Sequence, residues 1–140
     1  RYSIGIDDQK LQCLAGGHRW FVIDHRDHSF ERGDLVAFWS DSRMAPFFPR
    51  PTIFVKQVAG LPGDTVERQD DRIRVNGQIV ADGFPLLDKP GVNAATGLPI
   101  TQLEPDTFWV MGTQPLSFDS RYWGNVHGTQ IIGKAYALPF

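Results

Sequence analysis

Thr52-Ile53-Phe54-Val55-Lys56-Gln57-Val58-Ala59 runs directly into Gly60-Leu61-Pro62-Gly63-Asp64. The first part is β-branched and aromatic, and a Gly/Pro/Asp cluster closes it, which reads as a strand followed by a turn. Strand alternation places Phe54, Lys56 and Val58 on one face and Ile53, Val55 and Gln57 on the other. Lys56 therefore stands inside an apolar row. Two readings stay open. Either the lysine snorkels from a strand edge to water, or its amine is held in a poorly solvated site. Desolvation disfavours the charged form of an amine, which suits it to accept a proton at neutral pH.

The same strand signature recurs along the chain. Trp20–Asp24, Leu35–Trp39, Thr65–Arg68, Arg72–Val75, Gln78–Val80, Thr107–Met111 and Gln130–Leu138 are rich in Val, Ile, Phe, Trp and Tyr. Each is bounded by turn formers. Asn76-Gly77 predicts a tight hairpin between its flanking strands, because both residues tolerate the positive φ of a primed turn. Ten prolines and fourteen glycines argue against long helices. Ala81–Pro105 is expected to be a long surface excursion. Asp41–Pro51 is expected to be a loop that touches a partner or a membrane. The fold class that follows is mostly β.

At 140 residues the chain fits one domain, here taken as 1–140. A net charge of -2 supplies no basic footprint, so nucleic acid is not expected as a partner. Cys13 is the only cysteine, which excludes an internal disulfide and a cysteine-rich zinc site. No run reaches the roughly 18 apolar residues of a membrane helix. The start at Arg1 rather than Met reads as a cut, with a membrane anchor removed upstream.

Two further segments carry chemistry. In Leu11-Gln12-Cys13-Leu14-Ala15-Gly16-Gly17 the thiol is a nucleophile if a base lies beside it, and the glycines allow close approach of a substrate. The alternative is a small buried residue near a turn. In Ser117-Phe118-Asp119-Ser120-Arg121-Tyr122-Trp123-Gly124 a hydroxyl, a carboxylate and a guanidinium fall close together. Asp119 and Arg121 share strand parity and are expected to form a charge-assisted pair. Ser117 is placed to bond a neighbouring lysine. The plain alternative is a polar turn with aromatic packing. His25 and His28 have a loose metal-like spacing without a third ligand, and His18 and His127 stand alone, so solvated or satisfied histidines are expected.

Taken together, three segments resemble type I signal peptidases. Val55–Asp64 is similar to their lysine box, and Ser117–Gly124 to their C-terminal box. Arg32-Gly33-Asp34-Leu35-Val36-Ala37-Phe38 is similar to the strand motif between nucleophile and lysine. The SFDSRYWG wording and the Ala81–Pro105 excursion most resemble the TraF-type peptidases of conjugative transfer. Those relatives cut pilin precursors, and some join the new ends into a ring. The resemblance implies a β catalytic core of coiled antiparallel sheets with a long loop excursion. It also implies an N-terminal membrane anchor and action at the periplasmic face of the bacterial inner membrane. The implied chemistry is a Ser-Lys dyad that uses no metal or organic cofactor.

Carried onto this sequence, the resemblance makes Lys56 the general base and Ser117 the hydroxyl that orients it. It makes Asp119 the acidic residue of the site, with Arg121 as its partner. The nucleophile departs from the family pattern. Cys13 stands where the family has serine, and Ala15 stands where it has proline. The expected function is cleavage of a pilin precursor, or of another secreted precursor peptide, by a Cys13–Lys56 dyad. The alternatives are an inactive binding module in pilus assembly and a general secretory signal peptidase. A self-cleaving repressor would add a DNA-binding module, and the sequence has no helix-turn-helix pattern for one.

Overall fold

The computed structural model describes residues 1–6, 20–45, 47–49, 51–95, 98–113 and 116–138. Cys13 and His18, and with them the expected nucleophile segment, lie outside the described residues.

Two antiparallel sheets make up the fold. The larger has seven strands in the order β1 (Tyr2–Ile6), β2 (Trp20–Asp24), β11 (Ile131–Ala137), β3 (Leu35–Trp39), β4 (Ile53–Gly60), β9 (Thr107–Met111) and β10 (Val126–His127). The smaller has four, in the order β7 (Gln78–Asp82), β6 (Arg72–Val75), β5 (Thr65–Gln69) and β8 (Ile100–Gln102). The mostly β expectation holds. The quoted lysine strand becomes β4, interior to the larger sheet, with β3 on one side and β9 on the other. Core clusters cover both faces of the sheet here, so Phe54, Val55 and Lys56 are all buried in succession.

The main core lies between the sheets. Val36, Phe38, Phe54, Val58, Trp109 and Val110 of the larger sheet meet Val66, Ile73 and Val75 of the smaller one. A second cluster of Phe21, Ile23, Ala37, Val55 and Ala135 has the opposite strand parity and lines the other face of the larger sheet. At Gly60 the chain leaves β4 for the smaller sheet. A Cβ there would stand 2.9 Å from the Cβ of Trp109 and 3.0 Å from Leu103, so the crossing needs a residue without a side chain.

The Leu61–Asp64 turn is held by one carboxylate. Asp64 accepts from the Leu61 N–H at 2.8 Å, from Arg32 at 2.7 Å and from the Asn76 amide at 3.0 Å. It thereby ties the strand-entry turn, the crossing turn and the hairpin together. Burial pushes the Asp64 carboxyl up, but these hydrogen bonds outweigh it and hold it below its ordinary 3.8. A carboxylate with a depressed folded value contributes stability in full above the unfolded value. That contribution is lost as pH falls through the folded one. Asp64→Asn should therefore cost about 1–3 kcal/mol at pH 7. Urea midpoints at pH 7 and pH 3 check this: the acid-side drop should be smaller in Asp64→Asn than in the parent.

Several expectations need correction. The excursion runs largely over the surface, as expected, but it is anchored to the body of the fold. Phe84, Leu86, Ala95 and Leu103 are buried within it, and Ile100–Gln102 forms β8 against β5. The loop expected over Asp41–Pro51 contains a short 3-10 turn, Ser42–Met44, and among its described residues Phe47 is 43% exposed. Met44 is fully buried, and Phe48 lies edge-on to Phe54, ring centroids 4.9 Å apart. Strand β1 was not expected at all. The strand expected over Gln130–Leu138 is Ile131–Ala137, with Gln130 in a short 3-10 turn, and the one expected over Gln78–Val80 extends to Asp82.

Candidate active site

Lys56 projects from the middle of β4 and has no solvent exposure. Its Nζ is hydrogen-bonded to Ser117 Oγ at 3.2 Å and sits 5.6 Å from the centre of the Phe54 ring. Among the described residues no carboxylate lies within ion-pair distance of this amine. The buried alternative for Lys56 is therefore the one the fold adopts, and the snorkelling alternative is not. Ser117 is itself 2% exposed.

The box after Ser117 turns on Asp119. The expected Asp119–Arg121 pair forms, but not by strand parity. Asp119 is the N-cap of a four-residue helix, α1 (Ser120–Trp123), and its carboxylate accepts from the Arg121 N–H at 3.2 Å. A cap carboxylate meets donors that the helix start leaves unpaired. The same carboxylate takes the Arg121 guanidinium in a fork, Nε to Oδ1 at 2.9 Å and Nη2 to Oδ2 at 3.0 Å. Gly112 N–H donates to it at 3.3 Å. Both partners are essentially buried. Burial alone would lower the Arg121 value, but the hydrogen bonds and charge of Asp119 outweigh it and hold the guanidinium above its ordinary range. Arg121 also donates to the carbonyl of Ser117 at 3.2 Å. Thus the pair fixes the backbone of the residue that touches Lys56.

Residues outside the expected set complete the frame. Arg121 reaches the carbonyl of Gly83, and Ala95 N–H donates to the carbonyl of Arg121, both at 2.9 Å. The Tyr122 hydroxyl accepts from Leu86 N–H at 3.1 Å, and burial pushes this phenol up. The excursion is thereby bolted onto the box. Ser120 Oγ accepts from Val110 N–H at 2.9 Å and fastens α1 to β9. Arg43 donates to the carbonyls of Trp123 and Asn125 and closes the far end of α1. Only the run of aromatic and hydroxyl residues in the box hinted at these roles. Nothing in the Pro-rich setting of Arg43 pointed to one. Tyr122→Phe should leave the Leu86 N–H unpaired and destabilise the fold by about 1–3 kcal/mol, read as a lowered urea midpoint.

The remaining expected site features fall elsewhere. The His25 ring is hydrogen-bonded to Ser3 Oγ at 2.7 Å, and the His28 ring to the carbonyl of His25 at 3.0 Å. Among the described residues no group of three or more His, Cys, Asp or Glu is placed to hold a metal ion. A cleft of about 540 Å³ opens beside β4, lined in part by Arg32, Gln57, Asn76, Met111 and Gly112, and Lys56 does not line it. Lys56, Ser117, Asp119 and Arg121 come together. The distance from Lys56 to Cys13 falls outside the described residues.

With this geometry in hand, the likeness to known proteins has a physical footing. The family model described as signal peptidase, peptidase S26, matches residues 12–139. Signal peptidase I of Leptolyngbya laminosa is 31% identical over 132 residues, covering 91% of this chain and 63% of that protein. Signal peptidase I V of Bacillus subtilis (strain 168) is 29% identical over 122 residues, covering 79% of this chain and 67% of that protein. Against probable signal peptidase I-2 of Synechocystis the chain spans 50% of the relative, at 30% identity. The chain thus spans about half to two thirds of the length of these relatives. A signal peptidase I structure from Enterococcus faecalis V583 aligns with a TM-score of 0.47 at 24% identity, covering 77% of this chain and 97% of that one. The family match over nearly the whole chain is decisive: this protein belongs to the signal peptidase family, peptidase S26.

Proposed function

We propose that the chain is the catalytic domain of an endopeptidase that cuts exported precursor peptides, with Lys56 as general base and Cys13 as nucleophile. The observation that carries this reading is the buried contact between Lys56 Nζ and Ser117 Oγ, anchored by the buried Asp119–Arg121 pair. A pure scaffold has no need of a buried amine that, among the described residues, has no carboxylate partner.

In the proposed reaction Cys13 Sγ attacks the scissile carbonyl carbon while Lys56 Nζ takes the thiol proton. The tetrahedral oxyanion is held by backbone N–H groups beside Cys13. As it collapses, the C–N bond breaks and Lys56 returns the proton to the leaving amine. A thioester remains. Water attacks it, Lys56 accepts the water proton, and the thiolate leaves and is reprotonated. Ser117 orients the amine throughout, and Asp119 with Arg121 positions Ser117.

The substrate we propose within this class is a conjugative pilin precursor, on the strength of the SFDSRYWG box and the excursion. In the ring-closing variant a free pilin amine replaces water in the last step. A general secretory precursor is the second reading, favoured by relatives that carry the plain name signal peptidase I. Either substrate puts the domain at the periplasmic face of the inner membrane, held by an N-terminal anchor. Among the described residues no helix is long and apolar enough to cross a membrane, which says nothing of a β-barrel. Mass spectrometry of products from a pilin precursor and a secretory precursor separates the substrates. A ring weighs one water less than the cut chain. Cys13→Ala should abolish both reactions, and full activity in that variant overturns the assignment.

A further inference from the structure

The cleft of about 540 Å³ beside β4 runs from Arg32 and Gly33 past Gln57. A second cavity, of about 230 Å³, reaches Asp82 and Arg121. Val80, Met111, Gly112 and Thr113 line both, so the two form one continuous trough. Strand β7 walls one side of it, and there Val80, Ala81 and Asp82 are consecutive. Successive strand residues point to opposite faces, so a wall built from three in a row is the edge of the strand. That edge is the free one, because β7 ends the smaller sheet and β6 lies along its other side. A terminal strand carries a row of N–H and C=O groups that no other strand pairs. Val80 is also the extra residue of a bulge, since Ile79 opposes Arg74 and Ala81 opposes Ile73. A bulge leaves its extra residue out of the ladder, and such bulges are over-represented next to active sites.

The opposite wall belongs to the frame of the candidate site. Gln57 follows Lys56 on β4. Gly112 N–H donates to Asp119 at 3.3 Å. Arg121 binds the same carboxylate and also reaches the carbonyl of Gly83, the residue after β7, at 2.9 Å. We propose that the trough binds an extended stretch of the precursor away from the cut, its backbone laid along the free edge of β7. The proposal rests on the peptidase reading. The five residues of β7 span about 16 Å, so the trough takes a stretch of similar length. Affinity in strand addition comes from main-chain hydrogen bonds, so such a site serves precursors of differing sequence.

The test compares a short labelled secretory precursor peptide spanning the cut with the same peptide lengthened at both ends. Binding is read by fluorescence anisotropy on Lys56→Met, so that cleavage does not intervene. The longer peptide should bind at least about tenfold more tightly, because its second contact is made within one complex. Gln78 is exposed and lines the trough, so Gln78→Trp sets a bulky ring there without disturbing the core. Added to Lys56→Met, it should remove that gain and leave the short peptide's affinity unchanged. On the chain that keeps Lys56, it should raise KM for the longer peptide and leave kcat unchanged. Amide exchange over Gln78–Asp82 should slow with the longer peptide and not with the short one. Equal affinity for the two peptides, or a gain that survives Gln78→Trp, overturns the proposal. A longer peptide that protects β7 yet is never cut supports the trough and overturns the peptidase reading alone.

Discussion

Lys56→Met is expected to abolish precursor cleavage while the domain stays folded. Methionine is unbranched, apolar and close to lysine in length, so it fills the buried space that the lysine stem occupies on one face of β4. Lys56 has no exposure and no carboxylate partner among the described residues, so the substitution strands no opposite charge. Replacing a buried charged or polar group with a well-packed apolar one is often neutral or stabilising. The one loss is the Ser117 hydroxyl's partner, worth about 1 kcal/mol. Activity is a different matter. Removing a positioned general base costs about 10²–10⁴-fold, and no other described amine touches Ser117. Turnover of a precursor peptide measured beside a thermal melt checks both halves. A large loss of kcat with a near-parental melt is the expected pair of results.

Asp119→Ala should do the reverse, damaging the fold first and activity with it. The carboxylate is fully buried and binds the Arg121 guanidinium in a fork while also capping α1. Removing it leaves a guanidinium buried and uncompensated, which costs about 3–5 kcal/mol. For a domain of this size that corresponds to a drop in Tm of roughly 10–15 °C. Arg121→Met should cost a similar amount by stranding the carboxylate. The double variant Asp119→Leu/Arg121→Met should recover much of the stability, because neither charge remains. It should recover no activity, because Ser117 has lost the guanidinium that holds its carbonyl. A double-mutant cycle on the urea midpoint, read beside peptide turnover, separates these outcomes.

The parts of the fold that were legible in the sequence are those where local chemistry and tertiary demand agree. Asn76-Gly77 turns with φ of 50° and 84°, as its composition predicts. Lys56 and Ser117 were paired on paper and lie in contact. The misses have physical causes. Ile100–Gln102 is too short to show alternation, and its strand character comes from pairing with β5 rather than from propensity. Asp119 and Arg121 were joined through strand parity, yet their spacing also serves an N-cap and the residue after the helix start. Four residues rich in aromatics carry little helical signal of their own. Arg43 sits in a Pro-rich segment whose composition reads as loop, and its placement is set by partners eighty or more residues away, such as Trp123 and Gln130.

The account depends on the Lys56 amine and the Cys13 thiol sharing one site, and the rate of alkylation at Cys13 by iodoacetamide at neutral pH measures that most directly. If the two groups meet, the thiol reacts quickly in the parent chain and at least about tenfold more slowly in Lys56→Met, since the thiolate is the reactive form. Equal rates in the two proteins would contradict it.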